Sequence, residues 1–220
     1  FELELAEAGF HPEGGGAFTA RVQPAHPMPP LDLRSRGMLQ DVEVVSMVGG
    51  LPFEIAERQA ARAVRRLRDM GVHAEAECVP VPARSSKGSH VLVVATFERT
   101  KSGHGAIGEK GVSAERVADE MADAFGKFLK GGAAVDLFLG DQLVVPAALH
   151  AAGIIPSPPG IVPLTRYRVA SVTKHLTTNA EVVRRFLDVE IHIHGKEGEE
   201  GDVHVAPPGQ GAEVMPLRRE

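Results

Sequence analysis

The chain has no tryptophan, a single tyrosine and a single cysteine, and none of its apolar runs approaches the roughly 20 residues that a membrane-spanning helix needs. Each shortage excludes something. Cys78 has no second cysteine to pair with, so an internal disulfide is ruled out, and the composition suits a reducing, cytoplasmic compartment. With few aromatics, the core has to be built from Ala, Val and Leu. Basic residues are also in deficit: 24 Lys and Arg against 29 Asp and Glu give a net charge of −5. That balance argues against a broad basic surface holding a duplex, so any nucleic acid is gripped locally. The N-terminus lacks the basic-then-apolar layout of a secretion signal, and no short repeat of fixed period points to a solenoid. The sequence opens at Phe1 within what reads as a strand, which implies processing or an incomplete sequence.

What is present is 43% apolar residues in 220, enough for one large or two small globular domains. Pro/Gly-rich stretches at 24–30, 153–163 and 207–211 punctuate an alternation of strand and helix. Val42, Val44 and Val45 read as a strand. A helix over 52–70 follows, with Ile55, Ala56, Ala60, Ala63, Val64 and Leu67 on one face and Gly71 closing it. Its arginines 58, 62, 65, 66 and 68 are interleaved with Glu54, Glu57 and Asp69, and so read as a solvated face rather than a nucleic-acid stripe. Strands are expected at 72–78 and 91–96. Ser113 caps a helix with Val117, Met121, Ala124, Phe125 and Phe128 on its core side. A third helix follows Asp136 and is kinked or split by Pro146. A strand at 166–170, a helix at roughly 179–186, strands at 189–193 and 202–206 and a loose tail complete the pattern.

Two generic motifs are set aside. Gly103, Gly105 and Gly108 fit a dinucleotide glycine pattern, but Glu109, Lys110 and Gly111 intervene before the helix whose N-terminus would have to meet a pyrophosphate. His192 and His194 share a strand face, with His204 on a candidate neighbouring strand, yet no third ligand is fixed by spacing. The segment 171–179 differs in kind. His175 stands between a strand and a helix among hydroxyl and amide side chains that can orient an imidazole and cap the helix.

Four segments occur in a meaningful order: Gly9-Phe10-His11-Pro12-Glu13-Gly14-Gly15-Gly16, the stretch from Gly108 to Glu115, the stretch from Asp141 to Leu149, and His175-Leu176-Thr177-Thr178-Asn179. Together they resemble RNA 3′-terminal phosphate cyclases over nearly the whole chain. The sequence departs from that family in a longer proline-rich connection over 154–167 and in lacking the family's N-terminal portion. By resemblance the chain alone is therefore expected to be inactive.

The resemblance implies an α/β (α+β) fold in which repeated units, each packing two helices on a four-stranded sheet, are interrupted by a thioredoxin-like insert. On this chain that gives residues 1–36 and 133–220 to the large domain and 37–132 to the insert. It implies a ligase-type nucleotidyl transfer that consumes ATP, releases AMP and pyrophosphate, and converts an RNA 3′-phosphate to a 2′,3′-cyclic phosphate through a histidine-AMP intermediate. His175 matches the nucleophile, a role that imidazole chemistry suits. Asp141 and Gln142 match a pair near the nucleotide, the carboxylate helping to hold Mg²⁺ or Mn²⁺ and the amide reaching the base. Phe138 matches an aromatic against adenine, and Gly14, Gly15 and Gly16 match the glycine signature. Each has a plainer reading: a solvated helix residue, a core residue, a tight turn. The implied partners are ATP and an RNA 3′ end, with no membrane, and a homodimer is left open. The competing function is that of the family's non-catalytic branch, scaffold proteins of ribosome biogenesis that have lost the histidine.

Overall fold

In the computed structural model, residues 2–24, 27–84 and 86–211 are described. The expected strand start at Phe1 and most of the expected loose tail, from 212 on, lie outside them. The chain forms two compact units, one combining the residues up to Gln23 with Met38–Leu129, the other Pro24–Gly37 with the residues from Lys130 on. Among the described residues no helix is long and apolar enough to cross a membrane.

The first unit begins with an antiparallel hairpin, β1 (Glu2–Glu7) and β2 (Ala17–Arg21), that sets Leu5 opposite Phe18. Its main body is β4 (Leu39–Gly49), α1 (Glu54–Asp69), β5 (Glu75–Pro80), β6 (Gly88–Phe97), β7 (Lys101–Ile107) and α2 (Ala114–Lys130), while the short β3 (Asp32–Leu33) belongs to the second unit. The sheet order is β5-β4-β6-β7, with β4 parallel to β5 and antiparallel to β6, and β7 antiparallel to β6. One four-stranded sheet and two helices thus make up the span that the resemblance gives to the insert. Alanines 56, 60 and 63 with Leu67 form the buried face of α1, and small side chains let the helix approach the sheet closely. Gly71, at φ +79°, adopts the left-handed conformation that ends the helix.

Three of the α1 arginines are paired rather than merely solvated. Arg58 binds Glu115, Arg62 binds Asp119, and Arg66 binds both Asp119 and Asp123, all on α2, at 2.6–2.8 Å. The Arg58 guanidinium holds the Glu115 carboxyl down to about 2. The α2 stripe is buried at Val117, Met121, Phe125 and Phe128, whereas Ala124 faces out, a correction to its expected core position. The strand expected over 72–78 begins only at Glu75, although Val72 and Ala74 are buried. Residues 101–107, which carry two glycines of the rejected nucleotide motif, form the edge strand β7. A side chain at Gly105 would run into His90.

Inside this unit a polar chain crosses the apolar core. The Ser46 hydroxyl donates to Gln59 Oε1 at 3.1 Å, and Gln59 Nε2 donates to Ser89 Oγ at 3.0 Å, with all three residues buried. Gln59→Ala would leave a cavity and two unpartnered hydroxyls. The expected destabilisation is about 2–4 kcal/mol, read as a lower urea midpoint. A change within measurement error would show that the hydroxyls find other partners.

The second unit runs from β3 to α3 (Leu137–Gln142), α4 (Val144–Ala151), β8 (Thr165–Val169), α5 (Lys174–Val183), β9 (Glu190–His194) and β10 (Gly201–Ala206). Its sheet order is β3-β8-β10-β9, with β3 parallel to β8 and the other pairs antiparallel. The helices bury Val144, Ala147, Ala148, Ala151, Leu176, Ala180 and Val183 against Tyr167, Val169, Ile191, Val203 and Val205. Helices on a four-stranded sheet are the repeated unit that the sequence implied. Asp136 caps α3 by accepting from the amides of Phe138 and Leu139 at 2.8 and 2.9 Å. Pro146 divides the expected single helix as anticipated, but the break falls at Leu143. Proline has no amide for the Gln142 carbonyl, so it fits only in the first turn of a new helix.

Candidate functional site

The helix expected at 179–186 instead spans Lys174–Val183, which corrects the local setting of His175. Thr173, with extended backbone at φ −106° and ψ 160°, is the N-cap, and its hydroxyl accepts from Leu176 N at 3.1 Å. His175 is therefore the second residue of α5, with Leu176 beside it fully buried and the imidazole exposed. Free amides and the positive end of a helix macrodipole surround this position, a setting that attracts phosphate.

One turn further along α5, Asn179 does not cap the helix. Its Nδ2 donates to the Asp141 backbone carbonyl at 2.8 Å and ties α5 to α3, which pack on each other. No spacing in the chain signals this bond, which joins residues 38 positions apart. A second tie comes from below: the buried Tyr167 hydroxyl donates to the Gly140 carbonyl at 2.7 Å. Burial, and after it the negative charge of Asp141, hold the Tyr167 phenol well above its ordinary range, so it remains a donor. On α3, Phe138 is 70% exposed and free to receive a flat ring, Gln142 is exposed and Asp141 half-buried. Of the anticipated residues, then, His175, Phe138, Asp141 and Gln142 lie on two packed helices of the second unit.

Gly14, Gly15 and Gly16 lie in the first unit. The Gly14 amide donates to the Phe10 carbonyl at 2.8 Å and closes a tight loop, and Gly14 and Gly15 have φ of +66° and +79°. Gly16 crosses Gly9 so closely that neither position has room for a side chain. The plain reading of this signature as a tight turn accounts for its glycines, whatever it binds. Beside it is an open concavity of about 300 Å³ lined by Ala6, Glu7, Gly15, Ala17 and Arg84.

Among the described residues no group of three or more His, Cys, Asp or Glu side chains is placed to hold a metal ion. His204 does sit on the strand next to His192 and His194, with its ring 5.6 Å from that of His194. Burial, followed by the neighbouring His194, lowers the affinity of His204 for a proton; Asp202 opposes this, and Arg166 and His192 add to it. Burial alone does the same to His90. A histidine that resists protonation only when folded leaves stability unchanged well above its ordinary value of 6.5 and lowers it as pH falls through that value, because the unfolded chain then binds more protons. Urea midpoints are expected to fall between pH 7.5 and 5.5. A flat profile over that interval would contradict the burial of both rings.

Comparison with known proteins bears on the whole chain. Residues 34–130 match the family model described as the RNA 3′-terminal phosphate cyclase insert domain. A protein of Methanopyrus kandleri named RNA 3′-terminal phosphate cyclase is 34% identical over 215 residues, 95% of this chain and 58% of that protein. Proteins of the same name from Thermococcus gammatolerans and Methylococcus capsulatus are 36% and 37% identical, over 93% and 84% of this chain and 56% and 48% of their own lengths. The chain thus spans about half the length of these relatives, each named RNA 3′-terminal phosphate cyclase, and is similar to them over most of its own length.

Proposed function

We propose that the protein converts an RNA 3′-terminal phosphate to a 2′,3′-cyclic phosphate at the expense of ATP, with His175 as the covalent carrier of AMP. The observation that carries the reading is the exposed imidazole on the capped first turn of α5, tied through Asn179 to a helix bearing an exposed aromatic, an amide and a carboxylate. A ring nitrogen of His175 attacks the α-phosphorus of ATP. The bond to the bridging oxygen breaks, pyrophosphate leaves, and the imidazole proton passes to solvent. An oxygen of the RNA 3′-phosphate then takes the adenylyl group and frees the histidine. Finally the 2′-hydroxyl attacks the activated phosphate, loses its proton and displaces AMP. Phe138 stacks on adenine, which is worth about 1–3 kcal/mol, and Gln142 hydrogen-bonds the base. Gly14, Gly15 and Gly16 offer a loop without side chains to the nucleotide.

A lone carboxylate fits Mg²⁺ or Mn²⁺ bound chiefly through phosphates, so Asp141 is the residue that would hold it; the ion would neutralise phosphate charge. Residues 1–36 and 133–220 are assigned to the large domain and 37–132 to the insert. Support for that insert comes from the match over 34–130. The hairpin β1–β2 nevertheless makes its contacts within the first unit. The cytoplasm is the proposed location.

The test is incubation of the full-length protein with α-labelled ATP and Mg²⁺ or Mn²⁺. The expected product is an AMP adduct on the peptide containing His175, decaying in acid and surviving alkali as a phosphoramidate does. An intact protein that acquires no label would favour the non-catalytic scaffold reading instead.

A further inference from the structure

The aromatic residue of the glycine signature has an unusual seat. Phe10 enters the first unit where β4 ends and β6 begins, at Gly49 and Gly88, which face each other across the two strands. A side chain at Gly88 would fall inside the Phe10 ring, and a Cβ at Gly49 would lie 3.0 Å from its edge. Two facing glycines thus form a slot that the ring fills. The backbone around Phe10 is fixed to the same place. Ser86, 2% exposed, accepts from Phe10 N at 3.1 Å and donates to the Ala8 carbonyl at 3.2 Å. Ala8 N donates to the Pro82 carbonyl at 2.7 Å, and the Glu7 carboxylate accepts from Arg84 N. The loop that follows, closed by the bond from Gly14 to Phe10, has two consecutive residues in the left-handed conformation. Glycines in succession carry a large entropic cost of ordering, so such a loop holds one shape only if its base is anchored.

We propose that Phe10 is a positioning residue: its ring, locked into the Gly49–Gly88 slot, makes the 38–129 unit the platform that holds the triple-glycine loop in the shape that receives the nucleotide. The inference rests on the nucleotide role proposed above for Gly14, Gly15 and Gly16. It gives the inserted unit a part in ATP binding without any of its own side chains touching ATP.

Phe10→Ala empties the slot, and Gly88→Ala expels the ring without altering it, so both should free the loop in the same way. In each variant, hydrogen exchange at the amides of 14–16 is expected to accelerate. The KM for ATP in AMP-adduct formation should rise on the order of tenfold or more, with the maximal rate little changed. In the double variant the added Cβ has an empty slot to enter, so it should be no worse than Phe10→Ala alone, which is coupling between the two positions. Thermal unfolding confirms that each variant is folded at the assay temperature. Faster exchange with an unchanged KM would overturn the positioning role while leaving His175 as nucleophile. Unchanged exchange, or strictly additive effects in the double variant, would overturn the seat itself. Full-length wild type that forms no adduct would instead refute the assigned reaction, and the exchange measurement would still decide whether the ring holds the loop.

Discussion

His175→Asn should lower AMP-adduct formation roughly a thousandfold or more, to background, because it removes the imidazole to which the proposed function assigns the covalent bond to phosphorus. Asparagine keeps a planar, hydrogen-bonding side chain, and the fold has little reason to notice the change. The imidazole is exposed, Leu176 beside it carries the packing, and the helix is capped by Thr173. Stability should therefore move by no more than about 0.5 kcal/mol, as for other surface substitutions. The combination discriminates: lost labelling with an unchanged urea midpoint identifies a nucleophile, whereas lost labelling with a lowered midpoint would show only a damaged helix. Undiminished labelling of the variant would place the bond on another residue.

Where the sequence spoke clearly, one strong periodicity had no competitor. The α1 alanines and Leu67 recur at helical spacing, and the buried positions of β4 and β6 alternate, so those elements lie where their patterns put them. Strand β7 was illegible because Gly103 and Gly105 stand where alternation would otherwise be read. The start of α5 was expected about five residues too late: the helix begins at Lys174, where Thr173 caps it, and Asn179 lies inside it and bonds the Asp141 carbonyl. That bond and the Phe10 seat were invisible for the same reason. Each joins residues that meet only after strands have paired or helices have packed, and neither leaves a spacing rule in the chain. The motif residues 138, 141, 142 and 175 could be named from resemblance, but the means by which α3 and α5 are held together could not.

Tyr167 is the residue on which that assembly depends most from below, and Tyr167→Ala is expected to cost about 3–5 kcal/mol, the range for removing a buried aromatic side chain. The phenol lies fully buried in β8 beneath α3, and its hydroxyl is bonded to the Gly140 carbonyl. Both contributions are lost in the alanine variant, together with part of the support under Phe138, Asp141 and Gln142. Tyr167→Phe separates them. It keeps the ring and removes only the hydroxyl, so it should cost about 1 kcal/mol, or somewhat more if the carbonyl finds no water. Because burial and the Asp141 charge keep the phenol protonated, the tyrosine-to-phenylalanine difference should not vary between pH 6 and 9. Urea denaturation of the three proteins over that range is the measurement. If phenylalanine is as damaging as alanine, the hydrogen bond rather than the packing holds α3 to the sheet; if neither variant is destabilised, α3 is held from above by Asn179 alone.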